Sequence, residues 1–299
     1  MSDRRFERRI KMKSKIKTFL PIVAALAVFF AISLGLYFNS HRIFVFFEKN
    51  GAFLDPVELK AVENVGETAQ YPLSELELDA RVTIDQSLML INTEFMLDEG
   101  FIPEISEYKD TDVYMNSCMT EAYGALSAAV SERFNKKLYV SDDLRTEEEQ
   151  EQLYIDKPDT ATLPGASEHQ SGLALDVYVA YFAGDSFIKS PVGRFVNSEG
   201  YKYGFIIRYP SFGEEITGIR FEPWHIRYVG EVHAKIIYNN RLTLEEYILS
   251  FVVGQWYETD GYFICRQEAL DGQLSLPEQF ESCIISPDNT GCYIITLRK

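Results

Sequence analysis

The chain has 299 residues, 46% of them hydrophobic and 14% aromatic, with a formal net charge of −16. That is enough apolar material for one good-sized domain with extras, and too much for a disordered chain. The first 17 residues carry eight Lys/Arg against two acids, net +6, which leaves −22 on the remainder and argues against nucleic-acid binding by the body of the protein.

The basic start runs into residues 18–38, an uncharged stretch of 21 residues dominated by Leu, Ile, Val, Ala and Phe, long enough to span a bilayer. It exceeds a usual signal-peptide apolar region, and Tyr37-Phe38-Asn39 lacks a small-x-small cleavage pattern. The expectation is an uncleaved anchor with residues 1–17 in the cytoplasm and everything after about Asn39 outside. Residues 39–85 are acid-rich with mixed periodicity and read as a stalk. Residues 88–91 read as a strand, residues 116–134 as an Ala-rich amphipathic helix, and residues 138–140 as a strand that delivers the chain to Arg145. Thr146 is placed to cap a following helix containing Gln150.

Residues 167–176 (SEHQSGLALD) put His169 and Asp176 seven apart around a glycine. Residues 173–179 read as a short strand, so an uninterrupted strand would aim the two oppositely; the break at Ser171-Gly172 lets the chain bend and bring them to one point. Residues 222–225 (EPWH) add one imidazole, His225, and one more carboxylate, Glu222, on a segment that Pro223 keeps out of a helix. Together these are the inventory of a catalytic zinc site: His169, Asp176 and His225 as three N/O ligands, an open position, and Glu222 as a nearby general base. His41 lies beside the apolar span, and His233, in an expected helix over residues 230–238, reads as a packing or surface histidine.

Thr243 with Glu246 forms a capping box that opens a short helix to about residue 252. Residues 262–267, 281–286 and 291–297 read as strands, with a strong turn at residues 286–291, so a small antiparallel appendage of about 45 residues is expected at the C-terminus. Cys118, Cys265, Cys283 and Cys292 include no CxxC pair, which argues against sulfur ligation of zinc; a disulfide inside the appendage is permitted, with its connectivity open.

The pattern Ser-x-His-x-x-Gly-x-Ala-x-Asp followed by Glu-x-x-His, with Trp before the last His, resembles the VanY-like D-alanyl-D-alanine carboxypeptidases, zinc peptidases of the bacterial cell wall. The similarity runs over about residues 86–247 and includes residues 141–150 (SDDLRTEEEQ). It implies an α+β fold of the hedgehog/D-Ala-D-Ala-peptidase type, a small, mainly antiparallel sheet with packed helices. It also implies zinc on His169, Asp176 and His225, Glu222 as catalytic base, and Arg145 as the group that binds substrate or stabilises its transition state. Ser167, Gln150 and Trp224 match substrate-binding positions, and peptidoglycan stem peptides are the implied partner. The departure is Asp142-Asp143-Leu144, where relatives usually carry Gly-Tyr before the Arg, and this leaves the exact bond open: an L,D-carboxypeptidase, an endopeptidase and a catalytically silent wall-binding module are the rivals. The expected layout is a cytoplasmic tail (1–17), a transmembrane anchor (18–38), a stalk (39–85), a zinc peptidase domain (86–252) and a β-rich appendage (253–299).

Overall fold

In the computed structural model, which describes residues 26, 28–36, 39–52 and 54–298, helix α1 (Thr120–Phe134) follows the 3-10 turn Ser117–Met119, which Asn116 caps by accepting the backbone N–H of Cys118, and ends where Asn135 turns left-handed, φ 51°. Its inward face of Tyr123, Leu126 and Val130 is buried. Helix α2 (Glu147–Asp156) starts on a capping box between Thr146 and Glu149, as the sequence predicts. Helix α3 (Pro191–Glu199), which the sequence reading passed over, follows a Ser190 cap with proline in its first turn. Helices α4 (Glu231–Asn239) and α5 (Leu244–Ser250) come next, the latter opened by the expected Thr243–Glu246 capping box.

The strands, in chain order, are β1 (Lys60–Val62), β2 (Thr68–Pro72), β3 (Val82–Ile84), β4 (Ile105–Glu107), β5 (Tyr114–Asn116), β6 (Tyr139–Asp142), β7 (Ala174–Tyr178), β8 (Phe205–Ile207), β9 (His225–Tyr228), β10 (Trp256–Thr259), β11 (Tyr262–Gln267), β12 (Gln273–Pro277), β13 (Ser282–Pro287) and β14 (Tyr293–Arg298). A four-stranded antiparallel sheet, β6-β7-β9-β8, carries the motifs. Leu175 and Val177 on its buried face pack with α1 and with Phe195 and Val196 of α3. The fold is mixed helix and sheet.

Two expectations fail here. Residues 60–84, expected to be stalk, instead supply three strands to the C-terminal unit: β1 pairs with β10, β2 with β12, and β3 runs parallel to β13. Leu76 lies in the same core as Trp256, Leu274 and Ile295. The C-terminal β unit is therefore composite, not an appendage of residues 253–299 alone. These strands are short and mostly half-exposed, so they carry no clean alternation for a sequence reading to find. Residues 88–91 are not a strand either. Leu88, Leu90 and Ile91 are fully buried in irregular backbone, and side chains satisfy its polar groups: the Ser286 hydroxyl accepts the Leu88 N–H, Arg227 donates to the carbonyls of Ser87 and Met89, and Asn289 to that of Leu90.

All four cysteines are free thiols. Most of residues 1–38, including the tail and part of the apolar span, lie outside the described residues. Among the described residues no single helix is long and apolar enough to cross a membrane, and Val28–Leu36 and Ser40–Lys49 meet the length and composition only as a bent pair.

His233 is a packing residue that joins α4 to the β unit: its ring contacts the Tyr247 hydroxyl through Nδ1 at 2.6 Å and the Thr296 hydroxyl through Nε2 at 2.9 Å. Burial pushes its pKa down to about 3. The unfolded chain takes up this proton below about pH 6.5, so the stability that neutral His233 contributes is present above that pH and is lost as the pH falls toward 3, at up to about 1.4 kcal/mol per unit. Denaturant unfolding between pH 7 and 4 should therefore lose stability more steeply in the wild type than in His233→Gln; equal slopes would refute the assignment.

Candidate active site

His169 sits in the 3-10 turn Glu168–Ser171, which ends at Gly172 with φ 67°. A Cβ on Gly172 would stand 2.6 Å from Ile105 Cδ1 and 2.9 Å from the Asn116 nitrogen, so both backbone angle and space require glycine. This is the bend that returns His169 to the strand bearing Asp176. Asp176 lies mid-strand in β7, and His225, the first residue of β9, is its register partner. Two candidate ligands thus face each other across neighbouring strands and the third comes from the turn.

The donor atoms of His169, Asp176 and His225 all lie within 4.8 Å of one another. Asp176 Oδ1 is 3.0 Å from His225 Nδ1 and 3.6 Å from His169 Nε2, and the imidazoles stand nearly perpendicular, 85°, at 5.0 Å. Tetrahedral zinc with bonds of about 2.0 Å sets ligand atoms about 3.3 Å apart. The His169 Nδ1–H donates to the Asp143 carbonyl at 2.8 Å, which leaves Nε2 as the free lone pair facing Asp176. Asp176 Oδ1 is buried with no hydrogen-bond partner, as are His225 Nε2 and Glu168 Oε2. These observations fit a metal ion between the three side chains.

Electrostatics separate the carboxylates. Burial opposes ionisation of Asp176, yet the neighbouring imidazoles of His169 and His225 hold its carboxyl well below the usual range. His225 is likewise opposed by burial but is pushed up to about 9 by Asp176 and Glu168. Glu222 moves the other way: burial raises its pKa, Asp176 adds to the rise, and His225 opposes it. The Glu222-Pro223-Trp224-His225 turn is held by the Glu222 N–H to the Tyr209 carbonyl, the His225 N–H to the Glu222 carbonyl, and Asn197 Nδ2 to the Pro223 carbonyl.

Arg145 follows β6 past an irregularity between Val140 and Asp142, and its N–H donates to the His169 carbonyl at 3.1 Å. Its guanidinium donates to Gln150 Oε1 at 2.5 Å and to the Ser167 hydroxyl at 3.4 Å, and pairs with Asp142. Gln150, expected at the substrate, is fully buried beside Arg145, and its amide nitrogen donates to the Thr162 carbonyl at 2.7 Å. Ser167 is also buried beside Arg145. Trp224 is half-buried against the core with the Arg220 guanidinium 5.1 Å from its ring centre. A cleft of about 370 Å³ opens beside Arg145, walled by Leu97, Asp98, Glu99, Phe101 and Leu144.

A buried charge cluster behind His225 escaped the sequence reading. Glu168 Oε1 accepts from Arg208 Nε at 2.7 Å and from Arg227 Nη1 at 2.5 Å, while Arg208 also holds Glu245 at 2.6 and 2.8 Å. Glu168 Oε2 faces His225 Nε2 at 3.6 Å. Arg208 and Arg227 belong to no motif, and a lone arginine in a sequence carries no sign that it is buried.

The model of the family VanY: D-alanyl-D-alanine carboxypeptidase matches residues 112–231. The bifunctional D-Ala-D-Ala dipeptidase and D-Ala-D-Ala carboxypeptidase VanXYC of Enterococcus gallinarum is 35% identical over 178 residues, covering 54% of this chain and 93% of that protein. The chain belongs to the VanY family. A D-alanyl-D-alanine carboxypeptidase of Enterococcus faecium is 36% identical over 143 residues, 46% of this chain and 45% of that VanY relative, so the chain spans less than half of its length. Among solved structures, the vancomycin resistance D,D-dipeptidase VanXYg in complex with a D-Ala-D-Ala phosphinate analog matches with a TM-score of 0.60 at 25% identity, covering 78% of this chain and 99% of that one.

Metal analysis after zinc reconstitution should find one zinc per chain, lost in His169→Ala and in His225→Ala. Glu168→Gln, measured by competition with a chelator, should bind zinc about 10–100-fold more weakly because the carboxylate that faces His225 is gone. No stoichiometric metal in the wild type would refute the site.

Proposed function

We propose that this chain is a zinc-dependent D-alanyl-D-alanine carboxypeptidase that removes the C-terminal D-Ala from peptidoglycan stem peptides. The observation that carries the reading is the convergence of His169, Asp176 and His225 to within 4.8 Å, with Glu222 electrostatically coupled to all three, in a member of the VanY family.

Zinc bound there supplies Lewis acidity and lowers the pKa of water. Glu222 takes the proton of the attacking water and returns it to the departing amine; its raised pKa suits both halves of that transfer. Arg145, oriented by Gln150, Ser167 and Asp142, meets the negative charge of the substrate, either its terminal carboxylate or the oxygen that gains charge in the transition state. Partial burial strengthens that contact relative to water. Anchoring by residues 18–38 with the catalytic unit outside the cytoplasm belongs to the same proposal. It is supported by the +6 tail ahead of the 21-residue apolar stretch and by a substrate that lies in the wall.

A pentapeptide ending in D-Ala-D-Ala should lose one alanine, read by mass spectrometry, and amidating its terminus should cut hydrolysis steeply. Cleavage of the tetrapeptide alone would favour an L,D-carboxypeptidase. Glu222→Gln should keep zinc and fold and lose at least about 100-fold in turnover; near-wild-type turnover would place the base elsewhere. Protease added to intact protoplasts should remove the catalytic unit, and removal only after permeabilisation would reverse the orientation.

A further inference from the structure

The C-terminal β unit lies outside the family match, which ends at residue 231, and the chemistry above gives it no task. Its β13–β14 turn nevertheless holds residues 90–96, the segment that leads into one wall of the cleft beside Arg145. Asp288 is fully buried and builds the turn: Oδ1 accepts from the Thr290 N–H at 2.8 Å, the Thr290 hydroxyl at 2.8 Å and the Cys292 N–H at 3.1 Å, while Oδ2 accepts from Arg266 at 2.6 Å. Asn289, in the left-handed region at φ 61°, is thereby presented to residues 90–96. Its Nδ2 donates to the carbonyls of Leu90 at 3.0 Å, Phe95 at 3.0 Å and Met96 at 3.3 Å, closing that segment into a loop. The Asp288 carbonyl also accepts the Leu90 N–H at 3.0 Å.

The closed loop hands its position directly to the cleft. Leu97, the next residue, donates its N–H to the Gly165 carbonyl at 2.8 Å, and Gly165 donates its own to Gln170 Oε1 at 2.8 Å. A Cβ on Gly165 would stand 3.3 Å from the Leu97 carbonyl oxygen, so the two strips of backbone are in close contact. Leu97, Asp98, Glu99, Gly165 and Gln170 all line the cleft with Arg145. One wall of the cleft is thus held on the peptidase side by Gly165, while the loop that leads into it is tied to the C-terminal unit by the Asn289 amide and the Asp288 carbonyl.

We propose that Asn289 is a positioning residue for the stem peptide, and that the C-terminal β unit works as the clasp that holds the cleft wall against Arg145. The inference rests on the carboxypeptidase reading of the site and adds the element that sets substrate affinity. Asn289 touches neither substrate nor metal ligands, so releasing it should loosen the wall and leave the chemistry in place. Loss of affinity without loss of turnover is the kinetic mark of an interaction that binds ground state and transition state alike.

The test is Asn289→Gly in the full chain with zinc bound. Glycine tolerates the left-handed backbone and removes the side chain that carries the donor. The KM for the D-Ala-D-Ala pentapeptide should rise about tenfold, the scale of one to two lost neutral hydrogen bonds, with kcat within about twofold and zinc content unchanged, and amide hydrogen exchange over residues 95–99 should quicken. An unchanged KM overturns the proposal even if thermal stability falls, because that is the signature of a purely structural turn. A joint fall of kcat and zinc content overturns it as well, since the site itself would then have come apart. A wild-type chain that leaves the pentapeptide intact would instead sink the carboxypeptidase reading, an outcome distinct from an active wild type with an indifferent variant.

Discussion

The Glu168–Arg208–Glu245 chain of ion pairs, with Arg227 on the same Glu168 oxygen, is the interaction on which the rest of the unit depends. All four side chains are buried. Withdrawing four charges from water is costly, and the arrangement holds because each guanidinium meets a carboxylate and the spare donors meet backbone: Arg227 reaches the carbonyls of Ser87, Met89 and Tyr228. Deleting one partner leaves a buried charge uncompensated, a loss of about 3–5 kcal/mol. The cluster joins the turn that bears His169 to β9, to α5 and to residues 87–91, which form no strand of their own. It is the floor under His225 and, with Ser286 and Asn289, lets that irregular segment be buried.

The same cluster sorts the carboxylates. Glu168 is buried, which alone would favour its neutral form, but Arg227 and Arg208 hold it ionised. Asp176 is held ionised by two imidazoles, whereas burial, with Asp176 adding to it, leaves Glu222 with a raised pKa. Carboxyl groups pushed in opposite directions within one site can divide the labour of charge balance and proton transfer. The acidity of the body as a whole, −22 beyond residue 17, makes these few buried arginines the local source of positive charge at the centre of the unit.

What the sequence made legible was what chemistry forces into a fixed spacing. The convergence of His169, Asp176 and His225 is legible because a metal site needs particular side chains with a turn between them, and the Gly172 bend because a seven-residue offset cannot work on a straight strand. The capping boxes at Thr146 and Thr243 were equally readable, since both partners lie three residues apart. The misses share a different cause. Residues 88–91 look like a strand because burial alone demands apolar side chains, and nothing local reveals that arginine and asparagine side chains will take their carbonyls. The strands between residues 60 and 84 are legible only with their partners some 200 residues away.

The Asp142-Asp143-Leu144 departure divides into two parts with different consequences. Asp143 serves His169 through its carbonyl oxygen, a group that any residue supplies, so the position tolerates a change of side chain without disturbing the tautomer of His169. Its carboxylate is used elsewhere, accepting the Tyr114 N–H at 2.6 Å and so tying β5 to the loop that carries Arg145. Asp142 is not neutral in this sense. It pairs with the Arg145 guanidinium from a position opposite Asp176 in the sheet, half-exposed where Arg145 is mostly covered. A negatively charged ligand at Arg145 therefore competes with a carboxylate already in place. Competition of this kind lowers affinity for any anion but penalises a weakly charged oxygen more than a full carboxylate held by two donors. Under the proposed reaction, Asp142 thus bears on which part of the substrate Arg145 would meet, while the His169, Asp176 and His225 cluster and its supporting hydrogen bonds are left untouched.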